Sequence, residues 1–171
     1  MKFAPIIYLI GMLLCILSLF MLIPALVDWF YGSRDWPAFI ASSLTTLIVG
    51  GALFFSARGS ATEHLELRQA FLLTNSAWIS IALFGSLPFL FSDINMSITD
   101  AIFESTSGIT TTGATVIDTL DSTSHGILIW RALLQWLGGV GIIIMALAIL
   151  PMLSIGGMQL FKTESYETPD K

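Results

Sequence analysis

Crossing the hydrocarbon core of a bilayer as a helix takes about 20 predominantly apolar residues. This chain supplies such runs at residues 5–30, 37–57, 70–91 and 126–150. No other feature narrows the possible folds as far. In lipid every backbone polar group needs a partner inside the protein, so runs of this kind become helices. Only 11% of the 171 residues are charged, against about a quarter in a soluble domain. The expected fold is an all-α membrane protein with four transmembrane helices. Lys2 and the apolar residues after it resemble the start of a signal peptide. The run continues to Phe30 without a convincing small-residue cleavage site, so a retained span is the expectation.

The segments between the spans are short and polar. Asp28, Trp29, Phe30 and Tyr31 close the first span with residues suited to the headgroup layer. Pro37 opens the second, where a first helical turn tolerates it. Ser42, Ser43, Thr45 and Thr46 within it can bond to their own helix or to a neighbour. Gly50 and Gly51 suggest close helix contact, as do Gly138, Gly139 and Gly141 in the last span. Pro88 is expected to bend or stop the third span, and Pro151 to end or kink the fourth. The organisation expected is two N-terminal helices over 1–58, a membrane-pore-membrane unit over 70–152, and a tail over 153–171.

With four spans both termini lie on one side. Lys2, Arg58, Arg68, Lys162 and Lys171 fall there, and only Arg34 and Arg131 fall opposite. The positive-inside rule then puts both termini in the cytoplasm. The outward side is acidic: no lysine or arginine occurs between Ser92 and His125, while Asp93, Asp100, Glu104, Asp118 and Asp121 do. Such a surface concentrates cations. The net charge of −5 and the absence of a basic run argue against a nucleic-acid partner. Cys15 is the single cysteine, which excludes an internal disulfide and a cysteine-rich metal site. His64 reads as a solvated loop residue.

One stretch does not fit a span. Residues 98–107 give a helix of barely two apolar turns, with Thr99 and Asp100 at its start and Gly108 expected to end it. Ile109-Thr110-Thr111-Thr112-Gly113-Ala114-Thr115 comes next. Irregular backbone at membrane depth is tolerated only when buried in protein or lining a watery path. A cation path needs backbone carbonyls in place of the ion's water shell. Gly113 can adopt the conformations that turn a carbonyl toward an axis, and threonines resist helix while tying the loop down. A short helix pointing its C-terminal dipole inward favours a cation.

Phe103-Glu104-Ser105-Thr106-Ser107-Gly108-Ile109-Thr110-Thr111-Thr112-Gly113-Ala114-Thr115 resembles the first pore loop of bacterial Trk-type potassium uptake subunits, in the Trk/Ktr/HKT superfamily. Arg131 and the run Gln135-Trp136-Leu137-Gly138-Gly139-Val140-Gly141 resemble the helix after that loop in the family. Ile149-Leu150-Pro151 and Gly156-Gly157-Met158-Gln159-Leu160 resemble that helix's continuation. The resemblance implies four membrane-pore-membrane repeats around one pore, preceded in Trk-type members by two extra helices. It implies that Thr110, Thr111, Thr112, Gly113 and Ala114 line the ion path, with potassium at Thr111, Thr112 and Gly113. It further implies potassium as transported substrate without a cofactor, lipid as surroundings, a homodimer, and a cytosolic nucleotide-binding regulatory subunit. This sequence holds one pore loop, so it reads as the N-terminal part of a longer transporter or a shortened product.

Two other functions compete. The glycine-rich last span suits a non-conducting membrane assembly protein. Asp100 and Glu104, spaced i, i+4, are a conceivable acidic pair of an intramembrane enzyme, but no partner base accompanies them, and the chain reads as no enzyme. Arg131 reads as a helix-end anchor rather than as the partner of an acid.

Overall fold

The computed structural model describes residues 3–60, 67–118, 120 and 123–164, with side chains to residue 147. His64 and Asp121 lie outside it. The described elements are helical throughout: α1 (Ala4–Tyr31), α2 (Trp36–Ser56), α3 (Leu67–Gly85), α4 (Leu87–Phe91), α5 (Ile98–Ile109) and α6 (His125–Glu164), with a 3-10 turn at Arg58–Ser60. Four segments are long and apolar enough to span a membrane: Ala4–Tyr31, Trp36–Ser56, Arg68–Phe91 and His125–Leu147.

α1 and α2 form a close pair. α1 ends at Gly32, whose φ of 70° lets its amide turn back to the carbonyls of Asp28 and Trp29. Leu14, Leu17, Met21 and Ala25 of α1 are buried at helical spacing. On α2 the buried stripe is small and polar: Ala38, Ser42, Ser43, Thr46 and Gly50, with Phe39 beside it. Small residues allow the backbones to approach. A Cβ on Gly11 would sit 2.8 Å from the Gly50 carbonyl oxygen, and one on Gly50 3.0 Å from the Cys15 nitrogen. Gly51 has nothing within 4 Å, so only Gly50 fulfils the expected role. The Ser43 hydroxyl donates across the seam to the Ser18 carbonyl at 2.7 Å. Ser42, Thr45 and Thr46 bond back to their own helix. The opposite face of α1 exposes Leu19, Ile23 and Leu26, as a lipid-facing surface should.

The third span breaks at Ser86 instead of bending at Pro88. Proline occupies the first turn of the new helix α4, where its missing amide costs nothing. The Trp130 indole, fully buried, donates to the Gly85 carbonyl at 2.9 Å just before the break.

α5 starts at Ile98 as expected, with Ser97 as its N-cap. The Ser97 hydroxyl accepts the Asp100 amide, and the Asp100 carboxylate accepts the Ser97 hydroxyl at 2.7 Å. Ser97 is thus the N-cap, and the acid takes its hydroxyl rather than its backbone amide. Twelve residues of helix rise only about 18 Å, too little to cross about 30 Å of hydrocarbon.

The last helix passes Pro151, Gly156 and Gly157 and reaches Glu164. One proline removes one backbone bond, and its neighbours keep theirs. The segment expected as a tail from 153 therefore continues the helix, and 165–171 lie outside the described residues. By contacts the chain divides into Met1–Gly139 and Val140–Lys171. The first unit holds the buried cluster around Met21, Phe39, Phe89, Ile127, Trp130 and Leu134. The second is the C-terminal part of α6.

Candidate cation filter

The loop after α5 owes its shape to that helix. α5 runs through Gly108 to Ile109, one turn-end later than the glycine suggested. Gly108 is there for space: a Cβ would lie 3.0 Å from the Leu134 Cβ of α6. The free carbonyls at the helix end then capture the next amides. Thr110 donates to the Thr106 carbonyl, Thr111 to that of Gly108 at 2.9 Å, and Thr112 and Gly113 both to that of Ser107, at 3.0 and 3.3 Å. Bringing the amides inward requires unusual backbone. Thr111 has φ 60° and Gly113 φ 77°. For glycine this is free, whereas a β-branched residue is strained there.

The consequence is an asymmetric loop. No hydrogen bond among the described residues uses the carbonyl oxygens of Thr110, Thr111, Thr112 or Gly113. Residues 110–116 are all exposed, while Ser105, Ser107, Gly108 and Ile109 beneath them are buried. Ala114 differs from its neighbours, because its carbonyl accepts the Ser107 hydroxyl at 2.6 Å. The Thr110 and Thr112 hydroxyls touch at 2.9 Å.

Behind the loop sits a charged pair. The Glu104 side chain is fully buried and ion-paired with Arg131 Nε of α6. Its other oxygen accepts the Thr115 hydroxyl and the Val116 amide, both at 3.1 Å. The Thr115 hydroxyl in turn accepts the Ile117 amide at 3.1 Å. Glu104 and Ser107 stand at i and i+3, so the two side chains that bond to the loop share one face of α5. Arg131 is thus not merely an anchor. Asp100 is engaged by Ser97, and Glu104 by Arg131, Thr115 and Val116. Both carboxylates therefore have structural partners of their own.

Further along α6, Gly138 faces the Ile109 carbonyl, which a Cβ would overlap. Gly139 has nothing within 4 Å. At the other end α6 begins beside Asp28, which is fully buried and not in a headgroup cluster. Asp28 Oδ1 accepts the Gly126 amide at 2.7 Å, and His125 stacks on Tyr31 with ring centroids 4.3 Å apart. Trp29, Phe30 and Tyr31 are exposed, as the sequence suggested.

An open cavity of about 480 Å³ lies at the exit of the loop, lined by Asp35, Asp93, Asp100, Asp118, Thr123 and Ser124 among others. Asp35 Oδ1 accepts the Asp93 amide at 2.9 Å, tying the start of α2 to the α4–α5 turn. No described lysine or arginine lines this cavity. No group of three or more histidine, cysteine, aspartate or glutamate side chains among the described residues could hold a metal ion.

Comparison with known proteins shows the family and the fold. A family model described as TrkH, cation transport protein, matches residues 36–169. The Trk system potassium uptake protein TrkH of Escherichia coli (strain K12) is 44% identical over 165 residues, 96% of this chain and 34% of that protein. TrkH of Vibrio parahaemolyticus is 46% identical over the same length and coverage. The crystal structure of the potassium transporter TrkH from Vibrio parahaemolyticus superposes with a TM-score of 0.85 at 45% identity, over 92% of this chain and 34% of that one. The chain therefore spans about a third of the length of the relatives it matches.

Proposed function

The chain belongs to the TrkH family of cation transport proteins, and from that premise we propose that it supplies one wall of a potassium-conducting filter. The observation that carries the reading is the asymmetry of the loop. Its amides are consumed by α5, while four successive carbonyls, from Thr110 to Gly113, accept from no donor among the described residues. Oxygens so placed replace the hydration shell of a dehydrated cation. Thr111, Thr112 and Gly113 would hold the ion, and Thr110 and Ala114 would flank it. The Ala114 contribution comes from its exposed position, since its carbonyl is engaged by Ser107.

One such loop is a single wall, and a closed site needs the remaining walls from further segments. α1 and α2 stand as the two helices that precede the first repeat. α3 to α6 form that repeat, with α3 and α4 together as one span. In this reading potassium is the substrate and no cofactor takes part. The protein lies in the inner membrane with both termini cytoplasmic. A homodimer and a cytosolic nucleotide-binding regulatory subunit are the partners the resemblance implies. The acidic cavity beyond the loop serves as an antechamber that raises the local cation concentration.

The test is transport by the protein carrying this chain in bacteria that lack potassium uptake. Growth in low potassium should be restored and then lost with Gly113→Asp, at equal amounts of protein in the membrane. Growth that survives Gly113→Asp would instead favour a non-conducting assembly role.

A further inference from the structure

We propose that Glu104 is the positioning residue that sets how sharply the filter discriminates between cations, and that Arg131 holds its carboxylate in place. This rests on the filter reading above. α5 supports the loop at two levels. Its terminal carbonyls hold residues 110–113. The next part, residues 114–116, has left the reach of those carbonyls and is held by side chains, Ser107 on Ala114 and Glu104 on Thr115 and Val116. A buried carboxylate is stable only when paired and hydrogen-bonded. Here Oε1 meets Arg131, and Oε2 takes the hydroxyl and the amide.

The arrangement has a direction. Arg131 stands on α6, Glu104 on α5, and the held atoms belong to the filter segment itself. Any shift of α6 against α5 is therefore passed to residues 115 and 116. Discrimination between cations depends on the spacing and field of carbonyl oxygens. A segment free to slide adapts its spacing to a smaller ion, so loss of the brace should lower preference before it abolishes conduction.

A purely structural ion pair and this brace differ in one respect. The brace needs an acceptor at position 104. Exchanging the two charges, Glu104→Arg with Arg131→Glu, keeps the pair but places donors beneath Thr115 and Val116. Thr115→Val removes the hydroxyl and leaves both charges untouched, so it tests the brace even where the exchanged protein folds poorly. Two readings are taken on the protein carrying this chain, in membranes: hydrogen exchange of the Val116 amide, and the ratio of rubidium to sodium uptake. The charge exchange should restore insertion, yet speed Val116 exchange by about tenfold or more and lower the uptake ratio several-fold. Thr115→Val should lower the ratio in the same direction with unchanged protein amount. Wild-type protection and ratio in the charge-exchanged protein would overturn the proposal and leave a structural pair. Unchanged values in Thr115→Val would overturn it too. Absence of any cation uptake by the wild type would count against the filter reading, and would take the discrimination claim with it. Val116 exchange would still decide independently whether the carboxylate holds the segment.

Discussion

Replacing Gly138 by alanine pushes a methyl group into backbone. The new Cβ would overlap the Ile109 carbonyl oxygen and lie 2.7 Å from its carbon and 3.2 Å from its Cα. Carbon atoms in contact sit about 3.5–4.0 Å apart, so α6 must retreat from α5 by roughly 1 Å. Neither partner is a side chain, and no rotamer change relieves the clash. Overpacking costs about 1–3 kcal/mol, and a contact between two backbones belongs at the upper end. Gly139, the next residue, has nothing within 4 Å. Alanine there gains up to about 1 kcal/mol in helix propensity. The two neighbouring substitutions should thus differ by about 3–4 kcal/mol with opposite signs. At about 2–4 °C per kcal/mol for chains of this size, Gly138→Ala should unfold several degrees below wild type. Gly139→Ala should unfold at or above it. Thermal unfolding in mild detergent, followed by the loss of monodisperse protein, reads both. Since Ile109 directly precedes Thr110, Gly138→Ala should also reduce cation uptake. Equal midpoints for the two variants, or a Gly138→Ala protein as stable as wild type, would refute the close approach of α6 to the end of α5.

Three further outcomes are expected. Asp28→Ala should cost about 0.5–2 kcal/mol, because the Gly126 amide at the start of α6 loses its acceptor; Asp28→Asn, which keeps an oxygen, should cost less, and thermal unfolding ranks the two. Thr111→Gly should leave the midpoint unchanged or raised, since relief of about 1–2 kcal/mol at φ 60° offsets about 0.5–1 kcal/mol of added chain entropy; Thr115→Gly, which breaks the bond to Glu104, should lower it in the same assay. Asp93→Asn combined with Asp118→Asn should raise the half-saturating potassium concentration at low ionic strength. That effect should shrink near 0.15 M salt, where the Debye length is about 8 Å, and uptake titrations at two salt concentrations check it.

Local chemistry was legible in the sequence wherever it decided the outcome. The four spans are set by run length, and the short helix and loop by an apolar stretch too brief to cross. Helix ends were less legible, because Gly108 answers to Leu134 rather than to its own helix. Gly50 and Gly138 are needed for close approach while Gly51 and Gly139 are not, and nothing in the local sequence tells them apart. The support of the loop was half visible. Arg131 is the single lysine or arginine between Arg68 and Lys162, and an ionisable group within a span calls for a partner. The sequence did not say which acid, and the structure pairs Arg131 with Glu104. Asp28 gave no such signal, since its partner amide lies 98 residues away.

That long contact joins α1 to the helix that carries Arg131. The loop is held by α5 and by Arg131 of α6, so its geometry is as well defined as the position of α6. α6 is located at its start by Asp28 and by the Tyr31–His125 stack, both from α1. One turn later Phe39 of α2 meets Trp130 edge-on, with centroids 6.5 Å apart, and Trp130 bonds to the Gly85 carbonyl where the third span breaks. Phe20 of α1 approaches Trp136 at 6.3 Å. These contacts bracket Arg131 on both sides. α1 and α2 pack closely along a small-residue seam. Contacts thus run from α1 to α6 and from Arg131 through Glu104 to residues 115 and 116. The carbonyls of Thr110 to Gly113 accept from no donor among the described residues, while both carboxylate oxygens of Glu104 behind them are engaged.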